Sequence, residues 1–140
     1  MKHQTLEQLN VIAEVNAEYP AITRRQRLER WANLLEHQPD RCLGALPGTE
    51  YMSPHDRNEA RCLSSPISVA FEDPILRAQG LEDDTYGAAR KFFELSNWQL
   101  HDIVCHCHVG ATMKAGWVAL RVRAAMNGGI FARLGALLRP

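Results

Sequence analysis

Helix punctuation is the feature that most limits what this chain can become. Thr5 and Gln8, Thr23 and Gln26, and Ser96 and Gln99 each have capping-box spacing. In that arrangement a hydroxyl and a side-chain amide three residues apart satisfy two orphan backbone donors at a helix start. Ser53-Pro54 and Asp73-Pro74 add two further starts, a capping side chain followed by a first-turn proline. Stops are interleaved with these starts at Pro20, Pro39, Gly80, Gly110 and Asn127-Gly128-Gly129.

Between the marks, apolar residues recur at helical spacing. Leu6, Leu9, Ile12 and Ala13 form one such face, Leu28, Trp31, Ala32 and Leu35 a second, and Tyr86, Ala89 and Phe93 a third. Thr112 can cap a further helix carrying Met113, Trp117 and Leu120. Residues 39–53 read as loop, because Pro39, Gly44, Pro47 and Gly48 break any period. The helix opened by Ser53-Pro54 is expected to run to about Leu63 and to end at Ser64-Ser65-Pro66. After it, Ile67, Val69 and Phe71 alternate with Ser68 and Ala70, which predicts a short extended segment over 67–71. The expected fold class is all-α: a compact bundle of about six to seven short helices with one extended segment near 67–71. Its 140 residues suit a single helical domain over 1–140.

Composition narrows the function classes. Sixteen Lys plus Arg balance sixteen Asp plus Glu, so global charge gives no pull toward nucleic acid or anionic lipid. A 46% apolar share against 23% charged argues against a disordered chain. No apolar run approaches the length of a membrane span, and no apolar signal core follows Met1-Lys2. Cys42, Cys62, Cys105 and Cys107 form no disulfide framework, so reduced thiols and a cytoplasmic location are expected. Phosphate-binding loops and dinucleotide fingerprints are missing. Two local charge patterns stand out. Arg24 and Arg25, with Arg27 beyond them, sit at a helix start and oppose its dipole; they either meet an acidic group or an anion, or are solvated. Glu82-Asp83-Asp84 suits a helix N-terminus and lacks the spaced oxygens of a calcium loop.

One segment could carry chemistry: His101-Asp102-Ile103-Val104-Cys105-His106-Cys107-His108. On a helix from Ser96 to about His108, Leu100, Ile103, Val104 and Cys107 share the core face. His101, Cys105 and His108 form a second stripe beside Trp98, and Asp102 and His106 point toward water. Imidazole and thiolate are the ligands zinc prefers, and i, i+4 spacing lets two helix side chains reach one ion. His101, Cys105 and His108 are therefore the candidate metal ligands, for zinc or iron. Three ligands from one helix are strained, so a complete site would draw on groups elsewhere, such as His55 or Cys62. The catalytic alternative has His101 activate Cys105 as a nucleophile or redox thiol. The plain alternative is ordinary helix surface and core. Trp31, Phe92, Phe93, Trp98 and Trp117 are read as core rather than as a ligand cage.

After Gly128-Gly129, residues Ile130, Phe131, Leu134, Leu137 and Leu138 form one apolar stripe on a last short helix. That stripe covers either the protein's own core or a second subunit in a homodimer. The functional expectation is a small intracellular helical binding or regulatory protein with a metal site on the 97–108 helix. The alternative is a small enzyme or redox protein built on Cys105 and His101.

Overall fold

The computed structural model describes residues 20–105 and 112–138, with only the helical backbone from 128 onward. The expectations for Thr5 through Ala13 and for His106, Cys107, His108 and Gly110 lie outside the described residues. The side chains of Ile130, Phe131, Leu134, Leu137 and Leu138 lie outside them too.

Seven α-helices and one two-stranded antiparallel ribbon account for the described residues. The first helix, α1 (Arg24–His37), opens on Thr23 with both bonds of its capping box to Gln26 formed. It buries Leu28, Trp31, Ala32 and Leu35, the face its periodicity predicts. The last helix, α7 (Ala115–Leu138), is its main partner and contributes Val118, Ala119, Val122 and Ala125 to the core. Trp31 stacks on Phe93 at 4.4 Å with 13° between the rings, and its Nε1 donates to the Pro66 carbonyl at 2.9 Å.

The intervening chain folds as short helices across this pair. They are α2 (Pro54–Glu59), α3 (Pro66–Glu72), α4 (Pro74–Ala78), α5 (Tyr86–Phe92) and α6 (Asn97–Val104). Ser53, Ser65, Asp73, Thr85 and Ser96 cap them, each side chain accepting from a backbone N–H three residues on. Helix α2 stops at Glu59, short of Leu63, because Ala60 turns extended and gives its carbonyl to the Tyr86 N–H.

The extended segment expected over 67–71 is instead α3. Ser65-Pro66, read as a stop, is a start: Ser65 Oγ accepts from Ser68 N and Pro66 takes the first helical position. Residues 66–70 are all buried, so no polar face marks the helical period and the alternation of types misleads.

The extended structure lies elsewhere. Strand β1 (Cys42–Gly44) pairs with β2 (Thr112–Lys114), with Leu43 opposite Met113 and Gly44 opposite Thr112. Thr112 is therefore a strand residue rather than a helix cap. The start of α7 is satisfied by backbone: Ala115 N donates to Arg41 O and Gly116 N to Pro39 O, both at 2.9 Å. Residue 116 must be glycine for this approach, since a Cβ there would lie 2.9 Å from Pro39 Cβ.

Helix α7 also runs through Gly128-Gly129 without a break, where a stop and a separate terminal helix are expected. Glycine costs roughly 1 kcal/mol in a helix interior, and the alanines and leucines around the pair offset that. Arg24 Nε donates to Glu94 O at 3.1 Å and Arg27 Nη1 to Phe92 O at 2.9 Å. These arginines thus cap the carbonyl end of α5 instead of meeting an acidic partner. The acidic stretch before α5 pairs with Arg61, through Asp83 at 3.0 Å and Asp84 at 3.2 Å. Among the described residues, no helix is long and apolar enough to cross a membrane.

Candidate metal centre

Two chain segments meet beside the end of the ribbon. The first leaves β1 through Leu46 and Pro47 and makes one 3-10 turn, Thr49–Tyr51. Gly48, at φ +73°, supplies the left-handed residue that starts the turn. Arg57 clamps it from below, Nε donating to Thr49 O at 2.8 Å and Nη2 to Met52 O at 3.1 Å.

The second segment is α6. Its capping box at Ser96 and Gln99 is complete, and Leu100, Ile103 and Val104 are buried as predicted. It ends at Val104, not at about 108. Cys105 is its C-cap, in extended conformation, with its N–H still bonded to His101 O at 2.8 Å. The Val104 carbonyl, which a longer helix would give to residue 108, accepts instead from Leu46 N at 2.8 Å. This bond ties the two segments together.

Side chains converge across that tie. Thr49, with no exposed surface, places Oγ1 2.9 Å from His101 Nδ1. Glu50 Oε2 lies 3.4 Å from the same nitrogen, and the Cys105 thiol donates to that oxygen at 3.9 Å. One ligand atom each from Glu50, His101 and Cys105 thus falls within 4.8 Å of the others. Cys105 is buried, while Glu50 and His101 remain partly open, their side chains 32% and 19% exposed. Trp98 stacks on the imidazole at 5.6 Å and is itself 75% exposed. It forms an outer wall rather than the core position expected for it.

With metal–ligand bonds near those of zinc, tetrahedral geometry puts bound N and O about 3.3 Å apart and bound S about 3.5 Å from either. The 3.4 Å approach of Glu50 to His101 is at that spacing, while the Cys105 sulfur stands 3.9 Å from Glu50 and within 4.8 Å of the others, so it would have to draw in to share an ion. The order of the groups differs from that of a catalytic relay. In a relay the imidazole stands between acid and thiol and keeps them apart, whereas here one carboxylate oxygen touches both partners.

Of the expected ligands, His101 and Cys105 come together and His108 lies outside the described residues. Neither His55 nor Cys62 joins them; Glu50 does. Glu50 carries no sequence signal of its own, since its turn follows no period and Cys105 lies 55 residues away. Asp102, expected in water, has a half-exposed side chain that also pairs with Arg121 at 2.9 Å, and that guanidinium covers Trp117. An open groove of about 580 Å³ along α1, lined by Ile22, Arg30, Leu34 and Ile75 among others, shares no residue with the cluster. No protein-family model matches the chain, and neither a characterised protein nor a solved structure matches it.

Proposed function

We propose that this chain is a binding or regulatory protein that holds one zinc or ferrous ion between Glu50, His101 and Cys105. The convergence of three donor atoms within 4.8 Å carries the reading. A carboxylate, an imidazole and a thiolate give an oxygen, a nitrogen and a sulfur donor, a set suited to borderline-soft divalent ions. Three protein ligands would leave a fourth position for a ligand from elsewhere, and Glu50 and His101 are partly exposed. Coordination needs a reduced thiol, so a reducing compartment such as the cytoplasm belongs to the same reading.

The competing reading is a thiol enzyme or redox protein in which His101 activates Cys105 and Glu50 orients the imidazole. It has one observation in its favour, the 3.4 Å approach of Glu50 to Nδ1, which supplies the orienting acid. Zinc titration against a chromophoric chelator, paired with thiol alkylation, separates the two. The metal reading expects one zinc per chain, lost in His101→Ala, Cys105→Ser and Glu50→Ala and kept in His55→Ala, with zinc slowing alkylation of Cys105. Zinc binding that survives all three cluster changes would overturn it. Rapid alkylation of Cys105 indifferent to zinc would favour the enzyme.

A further inference from the structure

We infer that Thr49 is the positioning residue of this centre: its hydroxyl donates to His101 Nδ1 and fixes the neutral ring in the tautomer that leaves Nδ1 unprotonated beside Glu50, as the nitrogen an ion would take. The tautomer follows from the hydrogen bonds alone; the use of Nδ1 by an ion rests on the metal reading above.

Thr49 has no exposed surface, so its hydroxyl proton needs an acceptor within the protein. Among the described residues, one atom stands within bonding distance of Oγ1: His101 Nδ1, at 2.9 Å. The Thr49 carbonyl is taken separately, by Arg57 Nε at 2.8 Å and Met52 N at 3.3 Å. A neutral imidazole nitrogen either donates or accepts. If Nδ1 accepts, one bond satisfies both groups. If Nδ1 donates to Oγ1, the hydroxyl proton is buried without an acceptor, which costs more than the bond returns. A proton on Nδ1 would find its other acceptor in Glu50 Oε2 at 3.4 Å, beyond the roughly 2.7–3.2 Å of an N–H···O bond. The contact with Thr49 therefore decides the tautomer.

The hydroxyl is held for this task. Thr49 opens the 3-10 turn after Gly48, and Arg57 fixes that turn through its two bonds to backbone carbonyls. The ring in turn is stacked by Trp98 at 5.6 Å. Metal ligation takes a nitrogen lone pair, and in this tautomer Nδ1 has one while Nε2 carries the proton. Nδ1 is also the nitrogen that lies 3.4 Å from Glu50 Oε2. An ion arriving between Glu50, His101 and Cys105 thus meets a nitrogen with no proton to lose, and displaces one hydroxyl. The same tautomer disfavours the thiol relay, since a carboxylate that orients the ring through Nδ1 needs a proton there.

The readout is the imidazole nitrogen spectrum of the full chain, isotopically labelled and metal-free, at a mildly alkaline pH where the ring is neutral. Wild type should show His101 with Nε2 protonated and Nδ1 bare. Thr49→Ser keeps the hydroxyl and should keep this pattern. Thr49→Val keeps the shape but leaves Glu50 Oε2, an acceptor, as the polar partner of Nδ1, so the proton should move to Nδ1. A ring protonated on Nδ1 in wild type overturns the inference, and so does an unchanged tautomer in folded Thr49→Val. Zinc added to wild type should shift the Nδ1 resonance and leave the Nε2 proton in place. A zinc shift at Nε2 instead overturns Nδ1 as the ligand atom. Absence of zinc binding overturns the metal reading and the ion's use of Nδ1, and the metal-free spectra still decide the role of Thr49.

Discussion

Around Trp31 the chain stacks rings on rings and gives the polar atom that it buries one fixed partner. At the end of the ribbon it gathers a carboxylate, an imidazole and a thiol at one point, with an exposed tryptophan beside them. The first region gains from every contact it makes, since burial of apolar surface drives folding. The second gains little on its own, because a carboxylate held against a thiol and an imidazole forgoes better hydration. On the metal reading proposed above, the second region is assembled for its ligand rather than for the fold. The contrast can be broken by substitution, because it assigns large stability losses to one region and small ones to the other.

The largest loss is expected at Trp31. It is fully buried, stacks on Phe93 and bonds the Pro66 carbonyl, so it joins α1, α3 and the residue that follows α5. Trp31→Ala should cost about 4 kcal/mol, read as a lowered urea midpoint with unchanged slope. Trp31→Phe keeps most of the ring but leaves the Pro66 carbonyl without its donor, and should cost about 1–2 kcal/mol. Zinc uptake should survive in Trp31→Phe. Should Trp31→Ala prove nearly neutral, the core is not organised around this stack.

Asp73 comes next. It caps α4 by accepting from Leu76 N at 3.0 Å, and it takes both Arg30 donors at 2.6 and 2.8 Å. Burial opposes its ionisation, but the Arg30 guanidinium and the backbone donors outweigh that and hold its pKa below the ordinary 3.8. Asp73→Ala removes a cap and half of a part-buried pair, for about 2 kcal/mol. A lowered carboxyl pKa means that the folded state prefers the ionised form. Its contribution is therefore full above the unfolded pKa and is lost as pH falls below about 4 through the folded value. Wild type should lose thermal stability in that range more steeply than Asp73→Asn. Parallel melting curves against pH would mean that Arg30 adds nothing beyond the cap.

The two regions were also unequally legible in the sequence. Helix α1 could be read because its buried and exposed positions alternate with the helical period and its capping box is local. Helix α3 could not, because burial of residues 66 to 70 together erases the polar stripe there. His101 and Cys105 were visible as a spacing on one helix. Glu50 was not, since it reaches them only through the ribbon pairing and the Leu46–Val104 bond, both long-range. The end of α6 was missed for the same reason: a partner from a distant segment takes the carbonyl that another helical turn would have used. Trp98 has core-like chemistry and helical placement, and only tertiary context turns it outward.

The smallest effect is expected at Glu50, and it is the most informative. Its side chain is partly exposed and meets, among its contacts, a histidine at 3.4 Å and a thiol at 3.9 Å. Pairs made by a carboxylate this open to water are worth little, so in metal-free protein Glu50→Gln should change stability by less than about 0.5 kcal/mol. Glutamine keeps the shape and an acceptor oxygen but removes the charge that offsets a divalent ion. With zinc at about one hundred times its dissociation constant, wild type should gain about 3 kcal/mol by mass action, because the ion binds the folded state. Glu50→Gln should gain almost none of it. The measurement is thermal unfolding of both proteins, with chelator and with zinc. A variant destabilised in chelator as strongly as Asp73→Ala would make Glu50 a structural residue and erase the contrast between the regions. Equal zinc-induced stabilisation in variant and wild type would move the ion away from Glu50. Only the combination of an unchanged zinc-free melt and a lost response to zinc fits a group placed for a ligand rather than for the fold.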